Sequence, residues 1–304
     1  EDKDGNQFVW VPVSNKNGDG SNKIVKDDGR EVEITLGRYT FATSSPGTPT
    51  IKQKGSEYDQ TTLAQATSGT LDTKYGVAKS NYYFYELSDS RTSNELADRT
   101  GTNTTAKDLK RFVESVEKNN GYYLARYEAS FGSGDTSATI TNQKPYSIES
   151  KKYSVTAMTY EKGTLWNFIK QPDAAKVCKN MYANDTYIES DLTNSYAWDT
   201  AIVYIQNCSN NSNYSNANRE TVGNTNLLNT GETRDKVCNI YDMAGNLVEW
   251  ITEYSSYTNS SPVYTSSGVI RGGVYNSNSY YASKRNSVII TNAYNTFSFR
   301  PIIY

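Results

Sequence analysis

The ten residues Tyr241-Asp-Met-Ala-Gly-Asn-Leu-Val-Glu-Trp250 constrain the fold most, because they set polar side chains among large apolar ones. Asp242, Asn246 and Glu249 are interleaved with Met243, Leu247 and Trp250. This is the pattern of a half-buried turn and strand whose polar side chains cap backbone amides and carbonyls. Such a segment needs buried hydrogen bonds wherever it lies. Asp242 and Glu249 also admit an acid–base reading, but the structural requirement already accounts for them. Arg271 and Arg300 sit beside strand residues, where a structural charge-assisted bond is favoured over an anion-binding role.

Three stretches carry helical spacing. Leu109, Phe112, Val113 and Val116 repeat within Thr105–Asn119, with Gly121 as a stop. A second helix starts near Gln171-Pro172-Asp173, with Ala174, Val177, Cys178 and Met181 inward. A third runs from Ser195, with Trp198, Ala201, Ile202 and Ile205 on one face. Strands are predicted at Phe8–Val13 as a buried opening strand, at Glu31–Phe41, Tyr82–Leu87 and Gly121–Glu128. Further strands are predicted at Val237–Met243, Asn246–Glu253, Val269–Gly273 and Phe297–Tyr304, where Ile302 and Tyr304 close the sheet. Few helices before a block of antiparallel strands indicate an α+β fold. Residues 42–103, rich in Ser, Thr, Gly and Asp and broken by Pro46 and Pro49, are read as an irregular insertion, and Asn207–Thr230 as a polar loop.

Composition removes several function classes. Histidine is absent, and with it the commonest general base, zinc ligand and triad imidazole. The formal charge of -2 is dispersed, so no nucleic-acid footprint or polybasic membrane patch is present. No apolar run approaches the roughly 20 residues of a spanning helix. The chain starts at Glu1 without an initiator Met, which leaves room for a removed upstream signal or anchor. Cys178, Cys208 and Cys238 are too scattered for a disulfide framework; one disulfide is possible, and buried thiols are the favoured reading. Asn15-Lys-Asn-Gly-Asp-Gly20 has calcium-loop flavour without the distal Glu, so a turn is expected and no metal or cofactor is assigned. Apolar residues are 36% while Tyr counts 26, which suits both a β-rich core and a recognition surface.

Phe8–Val13, Gly121–Ser130, Tyr241–Trp250, Arg271-Gly-Gly273 and Ser298-Phe-Arg-Pro301 resemble, in that order, the landmarks of the formylglycine-generating-enzyme-like (sulfatase-modifying factor) domain. The resemblance covers most of the chain outside the insertion. It implies one C-type-lectin fold of that branch over residues 1–304, with antiparallel sheets and a few flanking helices. The family's enzymes carry a reactive cysteine pair between the Arg-Gly-Gly and Phe-Arg landmarks. This chain has no thiol between Gly273 and Phe299, so that oxidase chemistry has no nucleophile.

The same interval, Val274–Ser298, resembles the variable region of diversity-generating-retroelement proteins, in which template adenines, often in Asn codons, are randomised. Lys, Glu, Gln, Met and Trp cannot be reached from such codons, and of these the window contains only Lys284. Its Tyr, Asn and Ser are the residues of antibody-like paratopes. The resemblance implies a non-catalytic binding protein of bacterial or phage origin, displayed on a cell surface, secreted or carried on a virion, with protein or other macromolecular ligands. The ligand contacts are assigned to Tyr275, Asn276, Asn278, Tyr280, Tyr281, Asn286, Val288, Ile290, Asn292, Tyr294 and Asn295. Ala282, Ser283 and Arg285 are assigned to the framework. Val288-Ile-Ile290 is open between a buried strand and an apolar patch. An undiversified surface protein of the same fold is the alternative, and an enzyme on this scaffold the third reading.

Overall fold

Both ends of the chain enter one sheet. In a computed structural model, which describes residues 1–2, 4–14, 23–26, 28–42, 46–57, 71–72, 77–79, 83–85, 109–131, 144–149, 163–209, 211–256 and 267–304, the strand Phe8–Pro12 pairs with Gly121–Ala125. Pro301–Ile303 lies on the other side of Gly121–Ala125, and Ser190–Leu192 completes four antiparallel strands. Val11 is the fully buried member of the opening strand, while Trp10 stays 37% exposed, so that strand is half-buried rather than buried as its apolar run implied. Phe8–Pro12 lies at an edge of the sheet, where only one side of a strand meets neighbours.

The second sheet is assembled around Val248–Ser256, the longest strand. Ser267–Arg271 pairs with it antiparallel, and Arg285–Ile289 forms the edge beyond. Phe297–Phe299 pairs on the other side in the parallel sense, a departure from the all-antiparallel expectation. Tyr83–Tyr85, from within the predicted irregular insertion, pairs with Tyr254–Ser256. Pro49–Lys54 likewise forms an antiparallel pair with Gly37–Phe41, its register shifting between Arg38 and Tyr39. The insertion therefore contains strands, one of which extends the sheet, because Pro and Gly punctuation marks turns without excluding the short strands between them.

Among the described residues three helices pack against these sheets: α1 (Leu109–Asn119), α2 (Gln171–Asn180) and α3 (Ser195–Cys208). In α1 the four spaced residues Leu109, Phe112, Val113 and Val116 are buried, and Phe112 meets Tyr122 and Tyr304 edge-on. Asn120, with φ 59, ends α1 in the left-handed region, so Gly121 begins a strand instead of supplying the stop. Ala174, Val177 and Cys178 of α2 face the core as predicted, and Met181 lies just beyond its end. The third helix differs from its one-faced expectation. Tyr196, Trp198, Asp199, Thr200 and Ile202 are all buried, because α3 packs against strands of both sheets. Its N-cap Asn194 accepts the Ala197 amide at 2.8 Å.

Four predicted elements change shape. Glu31–Phe41 divides into Glu31–Val32 and Gly37–Phe41, and Phe297–Tyr304 into Phe297–Phe299 of the second sheet and Pro301–Ile303 of the first. Val237–Met243 is a hairpin, Lys236–Val237 with Ile240–Tyr241, turned by Cys238 and Asn239 at φ 51 and 64. The loop after α3 is ordered by its own turns and a 3-10 turn at Tyr214–Asn216. Among the described residues no helix is long and apolar enough to cross a membrane. The calcium-like segment Asn15–Gly20 lies outside the described residues.

The Arg271-Gly-Gly273 landmark has a steric basis. A Cβ on Gly273 would lie 1.9 Å from the Ala244 carbonyl oxygen, and Gly272 holds φ 86 over Met243 and Trp198. The turn carrying Ala244 can approach the strand end only where no side chain intervenes. Gly273→Ala is expected to abolish cooperative folding or lower the Tm by more than 10 °C, read by thermal unfolding; a melt like that of the parent would refute this close approach.

Candidate functional site

Five charged side chains from five segments meet beneath residues 274–298. Asp199 of α3 accepts from Arg271 Nη2 at 2.5 Å, from Arg285 Nη2 at 3.1 Å and from the Tyr39 amide at 2.9 Å. Glu253 accepts from Arg285 Nε at 2.6 Å and pairs with Arg38. All five are at most 2% exposed. Burial alone would raise the Asp199 carboxyl, but Arg271 and Arg285 hold it below its ordinary value. Burial, with Arg285 adding repulsion, pushes Arg271 down to about 10. Arg271 also lies over the Trp198 ring, whose Nε1 donates to the Ala282 carbonyl at 3.0 Å. Arg285, a framework residue by its sequence, is thus the window's anchor in the core.

A second buried group explains the Tyr241–Trp250 pattern. Glu249 takes a bidentate pair from Arg300, Nε to Oε2 at 2.8 Å and Nη2 to Oε1 at 2.5 Å. The same guanidinium donates to the Ala125 and Tyr241 carbonyls. Glu128 accepts from Asn246 Nδ2 at 2.6 Å and the Leu247 amide at 2.9 Å. Asp235 accepts from Tyr214 and the Ala244 amide, and Asp242 accepts from Thr230 at 2.5 Å. Asp242 and Glu249 are fully buried at a turn whose left-handed corners are Asp242 and Asn246, and their carboxylates meet the Thr230 and Arg300 side chains rather than the backbone groups expected of them; Asp235 and Glu128 cap the Ala244 and Leu247 amides instead. Among the described residues no group of three or more His, Cys, Asp or Glu is arranged to hold a metal ion.

The window separates into an anchored and an open part. Val274, Ala282, Ser283, Arg285, Ile290, Phe297 and Ser298 are buried. Its main chain is held by the Ala282 amide on Ala217 O at 2.9 Å, the Ser283 amide on Ser215 O at 3.0 Å and the Tyr275 amide on Asn246 O at 2.9 Å. Arg219 Nη1 donates to the Tyr275 carbonyl at 2.9 Å and Asn218 Nδ2 to the Asn278 carbonyl at 3.0 Å. Asn276, Asn278 and Tyr294 are exposed; Tyr275, Tyr280, Tyr281, Asn286, Val288, Asn292 and Asn295 are partly so. Asn286 donates to the Tyr280 hydroxyl at 3.0 Å, and the Lys284 ammonium lies 4.5 Å from the Tyr280 ring centre.

Two assigned contacts are corrected. Ile290 is fully buried, its methyl group against Gly268, while Ile289 is 49% exposed. Arg285–Ile289 is a strand, so Val288 is half-buried on the face that meets the core cluster of Trp250 and Phe297, and the chain turns in after Ile289. Sequence reasoning also missed Ser215, Ala217, Asn218 and Arg219, which support the window from a loop more than 50 residues earlier. Nothing local marks such long-range partners.

Two consequences are measurable. Asp199→Ala leaves Arg271 and Arg285 buried without their shared carboxylate, and is expected to cost about 3–5 kcal/mol in urea unfolding; a loss under about 1 kcal/mol would show that the network is dispensable. Burial pushes Asp242 from 3.8 up to about 7, opposed by Thr230 and Thr233, and pushes Asp235 up to about 6. The folded state then keeps protons that the unfolded chain has released, so this contribution to stability declines as pH rises from about 4 to about 7. Asp242→Asn is expected to flatten that decline in melts recorded from pH 4 to 8; unchanged slopes would exclude Asp242 as its source.

No curated protein matches the chain. Among solved structures, PvdO from Pseudomonas aeruginosa is similar at 11% identity and a TM-score of 0.37, over 60% of this chain and 80% of that one. The landmarks at Phe8–Val13 and Gly121–Ser130 precede the part matched by a family, although Phe8–Pro12 and Gly121–Ala125 share a sheet with its last strand. From α2 to that strand, residues 174–303 match the family model of the sulfatase-modifying factor enzyme 1-like domain.

Proposed function

We propose that this chain is a non-catalytic binding protein of the C-type-lectin fold, which presents the open part of residues 274–298 to protein or other macromolecular targets and has that part diversified by a retroelement. The observation that carries this reading is the manner of anchoring. The bonds holding the window to Asn246 and to the 215–219 loop go mainly to its backbone amides and carbonyls. Such bonds are indifferent to side-chain identity, so the outward residues can change while the path of the chain stays fixed. Lys284, the residue outside the Asn-codon set, falls within the Ala282–Arg285 anchor, where its carbonyl accepts from Arg271 Nε at 2.8 Å. The absence of a thiol in the window and the burial of Asp242 and Glu249 favour binding over chemistry.

The revised contact set is Tyr275, Asn276, Asn278, Tyr280, Tyr281, Asn286, Asn292, Tyr294 and Asn295, with Ile289 taking the place of Ile290 and of the core-facing Val288. Display at a cell or virion exterior fits this role, and repeated copies would add avidity to weak single sites.

Sequencing many sibling copies of the gene tests the proposal. Substitutions are expected at the outward positions and not at Ala282, Ser283 or Arg285; variation spread evenly over the surface would refute diversification. In the protein, joint replacement of Asn276, Asn278 and Asn292 by Ala is expected to move the Tm by no more than about 2 °C, as for other surface changes. Ala282→Tyr should lower it sharply by overfilling a closed site. Loss of folding in the triple variant would contradict the division.

A further inference from the structure

Two of the three thiols open onto one space. Cys208 ends α3, and Cys238 is the first turn residue of the hairpin between Val237 and Ile240. Both are half-buried, and both line an open cavity of about 450 Å³ with Trp10, Ile24 and Tyr204. The third, Cys178, is fully buried in α2, within the other core cluster. Burial, and then the nearness of Cys208, pushes the Cys238 thiol up to about 12. Cys238 and Asn239 occupy successive left-handed positions, which turns of this type ordinarily fill with Asn, Asp or Gly. A cysteine there is not explained by local turn preference. It places a second sulfur on the cavity that Cys208 also lines.

We propose that Cys208 and Cys238 are an oxidative crosslinking site that joins the end of α3 to the 236–241 hairpin. One thiol, after losing its proton, attacks a low-molecular-weight disulfide, forms a mixed disulfide and expels one small thiol. The second protein thiol loses its proton, attacks the mixed disulfide and expels the other. The protein gives up two protons and two electrons; the oxidant becomes two thiols. The bond closes a loop of about 30 residues, which restricts the unfolded chain.

That loop contains the window's support. Residues 211–219 follow directly from Cys208, and Ser215, Ala217, Asn218 and Arg219 bond to Ser283, Ala282, Asn278 and Tyr275. Oxidation would therefore brace the base of the presented face. This consequence rests on the binding reading; the crosslink does not, and its chemistry can fail while diversification stands.

The test is oxidation of the full chain with glutathione disulfide at about pH 8.5, then denaturation in N-ethylmaleimide, intact-mass measurement and non-reducing peptide mapping. The expected product carries one maleimide, at Cys178, no glutathione, and a linked peptide pair containing Cys208 and Cys238. It is expected to melt roughly 5 °C or more above the reduced chain. Cys208→Ser should instead retain one glutathione on Cys238 and show no such rise. Three maleimides on the oxidised parent, stable glutathione adducts at Cys208 or Cys238, a bond through Cys178 or a disulfide-linked dimer would each overturn the proposal.

Discussion

Asp199 and Glu253, with Arg38, Arg271 and Arg285, form the interaction on which the rest of the molecule depends. Charges taken out of water are costly unless each finds its partner, so these residues stabilise the fold only together. The requirement is geometric. The 37–41 strand, α3, the long strand, the Arg-Gly-Gly strand and the window's edge strand must all arrive for the charges to be satisfied. Three guanidiniums meet two carboxylates, and burial first, then repulsion from Arg285, lowers the Arg271 pKa against the pull of Asp199 and Glu253.

The turn at residues 241–247 meets a similar constraint with the opposite sign. Glu128, Asp235, Asp242 and Glu249 surround one Arg300. Backbone amides at Ala244 and Leu247, the Asn246 amide group and the Tyr214 and Thr230 hydroxyls supply donors to the carboxylates. Burial nevertheless keeps Asp242 and Glu128 protonated to higher pH than free carboxyls. The two groups share a neighbourhood, since Arg271 precedes Gly272 and Gly273, which pack on Met243 and Ala244 of the turn that the second group holds. The landmarks are thus parts of one packing problem.

The window joins the first group through its own Arg285, and its backbone is held largely by bonds to Asn246 and the 215–219 loop. Arg285 and Ser283 tie it inward, while Asn276, Asn278 and Tyr294 face solvent. A segment built in this way can tolerate replacement at the outward positions without loss of the core. Tyr and Asn there combine contact area with adaptable hydrogen bonding, which is what the proposed binding role would use.

The sequence by itself determined the three described helices, the structural charge-assisted bonding of Arg271 and Arg300, and the need for buried hydrogen bonds within Tyr241–Trp250. Each is written locally, in apolar spacing or in polar residues set among apolar ones. It did not determine that the insertion lends a strand to the second sheet, that Val237–Met243 folds back on itself, or that Ile289 rather than Ile290 faces outward. A shift of one residue along a strand end reverses the side that a side chain faces, and register is fixed by the partner strand. Nor could it reveal which carboxylate meets which arginine, or that a loop around Ser215 supports the window. Those contacts join residues scores of positions apart, and only the packing of α3 against both sheets brings them together.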